Sequence, residues 1–402
     1  MAIELEQAQE MVRASVTHCC EAEDIGIEQL HGRICARDIT SPLDLPPFNR
    51  SPLDGYALRA ADSAGACAQN CVELDIIESI VAGQWPQKCV TPGTAIRLMT
   101  GSPIPKGADC VIRQENVEEK DSKVRIATQL TPFENFCPKG EDITNGALLV
   151  SEGESLSYIH VGILAGAGFD TVPVYRKPRV VLLETGDELW HPKKGALPAG
   201  KIYASNSILL SCRLRELGAY VTRIGQCKDD KFDIAKKIEE AVTIGDILIT
   251  TGGVSVGCKD LLPDAIEYLG ADTIFHGINI KPGTPALFSV YKELPILALS
   301  GNPFAAITTM ELLARPALAL MGRNKNADII YTEGILENDF PKPSPGRRFV
   351  RGTQKNGYVH IADGLHSSGA LGSMKGCNCL VDIPAGSGAL KSGERVRFVE
   401  VN

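Results

Sequence analysis

The sequence predicts a multidomain α/β plus β protein. It has a central doubly wound, mostly parallel sheet, a β-rich insert domain ahead of it and a small C-terminal β-barrel. Three observations predict this. Between residues 179 and 321, apolar runs of strand length alternate with segments of helical period, the pattern of a parallel sheet covered by helices on both faces. Three of those apolar runs break into glycine and small polar residues. On either side of this region the alternation stops, and short β segments bounded by proline and glycine take over.

The elements follow in order. The opening MAIELEQAQEMVRASV carries acids and places Leu5, Met11, Val12 and Val16 at roughly helical spacing, so it reads as a helix and not as a signal peptide. LPPFNRSPLDGYALRAAD, residues 45–62, is a rigid loop built on paired prolines and Asp54-Gly55-Tyr56. Residues 72–117 are β-rich; Thr100-Gly101-Ser102-Pro103 ends one strand and Gly107-Ala108-Asp109 precedes the next. Lys139-Gly140-Glu141-Asp142-Ile143 follows a further β segment, and 156–168 reads as a helix leading to the centre. Strands are expected at 179–183, 220–224, 246–249 and 295–299. Helices are expected at 206–217, 233–243, 260–268 with Pro263 in its first turn, and 304–321 with an interruption near Pro316. Beyond residue 328, turns at Pro345-Gly346 and Asn356-Gly357 and the alternation of 395–399 give the barrel. The expected division is 1–44 with 146–175, then 45–145, 176–326 and 327–402.

Bulk properties exclude several classes. The 402 residues are 44% hydrophobic and 22% charged, with a formal charge of −8, which gives no electrostatic footprint for nucleic acid. No uninterrupted apolar run approaches the ~18 residues of a membrane span. The 13 cysteines are odd in number and the seven histidines lack metal-ligand spacing. Reduced, mostly buried thiols in a cytoplasmic protein are expected.

The three broken strands read TGDE, TTGGVSVGCKD and LSGNP. In a parallel sheet their ends share the carboxyl edge, where open α/β sheets bind ligands. Bare backbone there suits an anion, because successive N–H groups reach negative oxygens. Asp187, Glu188, Asp229, Asp230 and Asp260 fall on the same rim. Acids beside an anion site point to a divalent cation, Mg²⁺ first, bridging them to phosphate. The plainer readings are tight strand-to-helix turns and solvated loop charges.

The segments PPFNRSPLDGYA, RLMTGSPIPKGADCV, KGEDI, LLETGDEL, IYASNS, TTGGVSVGCKD, IKPGTP, LSGNPFAA and RRFVRG resemble, in this order and over nearly the whole chain, the MoeA family of molybdopterin molybdenumtransferases, which includes the E domain of gephyrin. The resemblance implies an elongated homodimer with four-part subunits and a central molybdopterin-binding domain. It implies that adenylylated molybdopterin and molybdate, with Mg²⁺, are converted to molybdenum cofactor and AMP. Asp54, Thr100, Asp142, Glu188 and Asp260 match the family's functional positions. Asp54, Thr100 and Asp142 are expected to face the partner's active cleft. Glu188, Asp187, Asp229 and Asp260 become the expected metal ligands. Thr251, Gly252, Gly253, Ser255, Lys281, Ser300, Gly301, Asn302 and Arg351 are the expected cofactor contacts. An adenylyltransferase and cofactor-accepting proteins are the implied protein partners.

The chain departs from the family wording at telling places. Two of three usual lysines are replaced, by Gly277 and Thr284, leaving Lys281. Arg50 and Lys259 are gained elsewhere. Each cation missing beside a desolvated oxyanion costs ~1–3 kcal/mol. Three outcomes follow: an active enzyme with a rearranged oxyanion site, a tungstate-preferring insertase, or a non-catalytic molybdopterin-binding or scaffold paralogue. A dinucleotide-dependent oxidoreductase fits poorly, for lack of G-x-G-x-x-G after a first strand.

Overall fold

The computed structural model describes residues 2–18, 21–254, 261–364 and 366–401. The chain forms two compact units. One comprises Met1–Asp24, Gly32–Ala36 and Pro173–Asn402, the other Ile25–His31 and Arg37–Val172.

The first unit is built on a six-stranded sheet. Its strands are β1 (Arg179–Thr185), β2 (Tyr220–Cys227), β3 (Ile247–Thr251), β4 (Asp272–His276), β5 (Leu287–Tyr291) and β6 (Leu294–Leu299), in the order β2-β1-β3-β6-β5-β4. The ladders β1–β2, β1–β3 and β3–β6 are parallel. The ladders β5–β6 and β4–β5 are antiparallel. This antiparallel edge was not expected. DTIFH carries little apolar signal, and the glycine- and proline-bearing stretch between β4 and β5 masks the hairpin. β1, β3 and β6 are buried on both faces, which is why they read as continuous apolar runs. Val180 and Leu182 pack on one side with Ile249 and Leu297. Val181 and Leu183 pack on the other with Ile234, Ile238 and Leu248. Each such side chain contributes ~1.5–3 kcal/mol by leaving water.

Helices cover both faces: α1 (Asn206–Glu216), α2 (Lys231–Ile244), α3 (Leu262–Tyr268), α4 (Pro303–Thr309) and α5 (Arg315–Met321). The N-terminal helix Leu5–Ala14 lays Leu5, Ala8 and Val12 into the first core. Asp230 is the N-cap of α2, accepting from the Phe232 and Asp233 amides at 3.0 Å each, so this rim acid is committed to the helix. Between α4 and α5 the chain widens into a π-helical turn, Met310–Ala314. Pro316 explains it. A proline ring clashes with the carbonyl four residues earlier, here Leu312, and the wider turn relieves the clash. The interruption therefore lies upstream of the proline. Taken as one helix, Pro303–Met321 is long and apolar enough to cross a membrane, and it is almost entirely buried in this core. Glu311 and Arg315 break the apolar run in sequence; in space Glu311 is fully buried and pairs with Arg213 at 2.7 Å and Arg315 at 3.3 Å.

The same unit ends in a closed five-stranded barrel. Its strands are β7 (Tyr331–Leu336), β8 (Arg348–Lys355), β9 (Tyr358–Ile361), β10 (Cys379–Ile383) and β11 (Arg395–Glu400). Phe349, Leu380 and Val399 join the core of the α/β layer, so barrel and sheet share apolar contacts. Gly334 and Gly352 are forced by packing: a Cβ there would fall 2.8 Å from Val359 Cγ2 and 2.9 Å from Val381 Cγ2.

The second unit carries a mixed six-stranded sheet in the order Cys110–Arg113, Gly55–Leu58, Thr94–Leu98, Val72–Ile80, Lys123–Ile126, Val117–Lys120. Tyr56, Leu58, Leu74, Ala95 and Ile112 form one side of its core. The helix Tyr158–Gly166 is closed by a capping box between Ser157 and His160. Cys110 and Cys137 here, and Cys35, Cys227 and Cys379 in the first unit, are buried. Cys67, Cys89 and Cys212 are exposed, so burial describes only part of the cysteine set.

Candidate active site

β1, β3 and β6 are adjacent and parallel, so their three glycine ends meet at one edge, as the strand pattern requires. There they open into a cavity of about 1030 Å³. Thr185, Gly186 and Glu188 after β1, Gly252 and Gly253 after β3, and Ser300, Gly301 and Asn302 after β6 line it. Lys281 through Pro285 form another wall, and Lys342, Arg348, His366, Ser367 and Ser368 come from the barrel side.

The backbone at this edge is left-handed at the two glycines that follow β3. Gly252 has φ of 92° and Gly253 of 69°. A Cβ on Gly252 would fall 2.5 Å from the Thr185 carbonyl, and one on Gly253 2.8 Å from the Thr185 hydroxyl. Only glycine permits both the conformation and the approach. Asn206, in the first turn of α1, ties the edge together. Its amide donates to Thr251 Oγ1 at 3.0 Å and to the Gly301 carbonyl at 2.8 Å. Thr251, expected as a ligand contact, thus turns its hydroxyl into the protein, where it also donates to the Ser300 carbonyl at 3.4 Å. The Thr185 hydroxyl, also buried, has no hydrogen-bond partner among the described residues.

Carboxylates stand on one side. Glu188 folds back over Gly186, where an added Cβ would lie 2.7 Å from both its oxygens. Asp229, at the end of β2, accepts from the Asp187 amide at 3.3 Å, and both Glu188 and Asp229 line the cavity. Asp187 is an exposed neighbour outside the lining. Cations stand on the other side. Lys281 and Arg348 are bridge partners, with the Lys281 amide donating to the Arg347 carbonyl and the Phe349 amide to the Lys281 carbonyl, both at 2.9 Å. Lys281, Lys342 and Arg348 have no carboxylate partner among the described residues.

Arg351 is placed differently from its expected role as a cofactor contact. It is fully buried, its guanidinium 3.6 Å from the centroid of the Phe304 ring, donating to the Ser367 carbonyl at 2.6 Å and the Ala370 carbonyl at 3.2 Å. Desolvation lowers its pKa. Residues three apart on a strand face opposite ways, so Arg348 reaches the cavity while Arg351 props the 367–370 loop from behind.

The two positions without lysine differ in their surroundings. Gly277 has φ of 100°, a conformation a side chain strains. Thr284 lines the cavity, and its hydroxyl donates to the Ile280 carbonyl at 2.6 Å. Ser255, Lys259 and Asp260 lie outside the described residues.

Three expected residues belong to the second unit. Asp54 Oδ1 accepts from both the amide and the hydroxyl of Thr100 at 2.7 Å. These bonds, the backbone one first, hold its carboxyl below the usual range. Asp142 is exposed, its amide bonded to the Leu45 carbonyl at 3.0 Å. Arg50 is exposed and pairs by backbone with Cys137.

Thr185, Asn206, Lys342, Arg348, His366 and Ser368 are site residues the sequence reading left unassigned. Asn206 sits in IYASNS and Arg348 in RRFVRG, so both had a signal. Lys342 and His366 lie on irregular loops, where spacing carries no information.

Fold and cavity define a multidomain protein with an α/β core and a polar cavity at its carboxyl edge. The chain matches the MoeA N-terminal region (domain I and II) over residues 3–168, a probable molybdopterin binding domain over 181–320, and the MoeA C-terminal region (domain IV) over 333–401. It is 35% identical to a molybdopterin molybdenumtransferase of Bacillus subtilis (strain 168) over 386 residues, 94% of this chain and 90% of the relative. It is 33% identical to one of Staphylococcus aureus (strain MSSA476), over 93% of this chain and 90% of the relative. The crystal structure of a molybdopterin biosynthesis MoeA protein from Pyrococcus horikosii superposes with a TM-score of 0.87 at 34% identity, covering all of both chains. A second, from Pyrococcus horikoshii OT3, gives 0.81 at 30%, again covering all of both chains. The chain belongs to the MoeA family.

Proposed function

We propose that this protein is a molybdopterin molybdenumtransferase that takes adenylylated molybdopterin and molybdate, inserts molybdenum at the dithiolene and releases AMP with the help of Mg²⁺. The observation that carries the reading is the division of one cavity: Glu188 and Asp229 on one side, Lys281, Lys342 and Arg348, without a carboxylate partner among the described residues, on the other, bare glycine backbone between. A substrate bearing phosphates, together with an incoming oxyanion, matches each surface.

The residues take the following roles. The Gly252 amide is committed to the Leu299 carbonyl at 3.1 Å and the Asn302 amide to the Ser300 hydroxyl at 3.3 Å, so the amides of Gly253 and Gly301 are the ones that donate to phosphate oxygens. The unpaired Thr185 hydroxyl joins them. Lys281 and Arg348 offset oxyanion charge. Among the described residues no three ligating side chains converge. Mg²⁺, however, is commonly held by one or two carboxylates with substrate phosphates and water completing its shell, and the Glu188–Asp229 pair fits that mode. When bound there it supplies charge neutralisation at the phosphates. Asp260 and Asp187 are the further acids of this reading, and Asp54, Thr100 and Asp142 the functional residues of the second unit.

The wider reading includes a homodimer in the cytoplasm, the four-part division given above, a supplying adenylyltransferase and accepting apoenzymes. The apolar helix Tyr158–Gly166, with Tyr158 75% and Ile159 55% exposed, supports self-association, and sedimentation measures it. The test of function is direct. Protein, adenylylated molybdopterin and Mg²⁺ are mixed, molybdate or tungstate is added, and AMP and metal-loaded cofactor are quantified. Release on molybdate, lost in Glu188→Gln, is the expected result. Release on tungstate alone changes the substrate. Tight pterin binding without release overturns the enzyme and leaves a binding or scaffold protein.

A further inference from the structure

His366 is not used by the reading above. It lines the cavity on the barrel side, and its Nδ1 is buried with no hydrogen-bond partner among the described residues. The Phe340 ring meets it edge-on, centroids 5.4 Å apart, which fixes its plane. Among the described residues, the charged groups that act most on the ring are cations: Arg351 behind it, Lys342 on the loop leading to β8, and Arg348 at the start of β8. A hydrogen bond to the Ala362 carbonyl opposes them. The nearest carboxylate on its own loop, Asp363, turns to His360 at 3.6 Å. Among the described residues, Glu188 and Asp229 are the carboxylates of the cavity lining.

Desolvation first, then these cations, lower the His366 pKa from its ordinary 6.5. The free ring is therefore neutral near pH 7. A dianion placed among Lys342, Arg348 and His366 reverses the balance. It removes the cationic repulsion and offers an acceptor to a protonated nitrogen.

We propose that His366, with Lys342 and Arg348, forms a proton-linked subsite for a tetrahedral dianion, in which anion binding and protonation of the imidazole occur together. This rests on the oxyanion-handling reading and deepens it. Of the two positions without lysine, Thr284 lines the same cavity, and His366 adds to it a cation that exists only when the anion is bound. The sign follows from linkage. Affinity rises as pH falls through the bound-state pKa and levels off below the free-state value. The slope approaches one proton, up to about tenfold in Kd per pH unit.

The experiment is titration of the intact protein with sodium molybdate by calorimetry between about pH 6 and pH 8, in two buffers of different ionisation enthalpy. The AMP-release assay runs in parallel. Expected are a Kd that tightens toward pH 6, net proton uptake near pH 7, and a flat pH profile in His366→Gln. Circular dichroism confirms that the variant is folded. Binding without proton uptake, or the same slope in His366→Gln, overturns the inference while leaving the transferase reading intact. No molybdate binding at any pH also overturns it, and AMP release in the parallel assay then decides whether the transferase reading falls as well.

Discussion

Asn206 donates its side-chain amide to Thr251 Oγ1 at 3.0 Å, and the same nitrogen reaches the Gly301 carbonyl at 2.8 Å. One buried amide on α1 thus joins the ends of β3 and β6 and sets the spacing of two glycine turns. Asn206→Ala leaves Thr251 and Gly301 without this donor. The expected cost is ~1–3 kcal/mol, read as a lower denaturation midpoint, with a larger proportional loss in AMP release. Asn206→Asp is expected to be worse, since an acceptor then faces the Gly301 carbonyl. Wild-type activity in Asn206→Ala would show that the turns hold their spacing unaided.

Gly252 is where backbone and space act together. Its φ of 92° and the 2.5 Å approach of an added Cβ to the Thr185 carbonyl make Gly252→Ala unfavourable twice over. Strain alone is ~1–3 kcal/mol. Chemical denaturation is expected to show at least that loss. Any shift of the loop also displaces the Gly253 amide, so phosphate-dependent binding weakens beyond what stability explains.

Thr284 and Gly277 separate charge from conformation. Thr284→Lys adds a cation to the cavity lining and gives up one hydrogen bond to Ile280. Tighter molybdate binding is expected, with a stability loss of ~0.5–1.5 kcal/mol. Gly277→Lys adds the same charge at φ of 100°, and ~1–3 kcal/mol of strain is expected. Calorimetry with molybdate and thermal melts of both variants compare the two terms. Equal stability in the two would sink the conformational explanation.

Asp54 offers a pH test in the second unit. Its carboxyl is held below the ordinary 3.8 by the Thr100 amide and hydroxyl. A depressed carboxylate contributes stability that is present above its unfolded pKa and lost as pH falls through the folded one. Thr100→Val removes the hydroxyl bond and keeps the amide bond. The Asp54 pKa, followed by carbon-detected NMR titration, is expected to rise part of the way toward 3.8. An unchanged value would mean the hydroxyl bond contributes nothing in solution.

The sequence by itself determined the elements that depend on local pattern. Continuous apolar runs marked β1, β3 and β6, because a strand buried on both faces has no polar side to alternate with. Three glycine-bearing strand ends then placed the cavity, because parallel strands share one carboxyl edge. Helix α2 was visible for the same reason, in its 3.6-residue period. Only the tertiary structure decided which side chains face the cavity. Arg348 and Arg351 lie in one motif, yet strand pleating turns one inward to Phe304 and the other to the ligand space. Thr251 reads as a phosphate contact until Asn206, 45 residues away, claims its hydroxyl. Lys342 and His366 come from loops without periodicity, and the closure of the barrel against the α/β core brings them to the edge. Spacing along a chain reports which atoms repeat; the direction of a side chain, and its electrostatic company, arise from contacts between segments far apart in sequence.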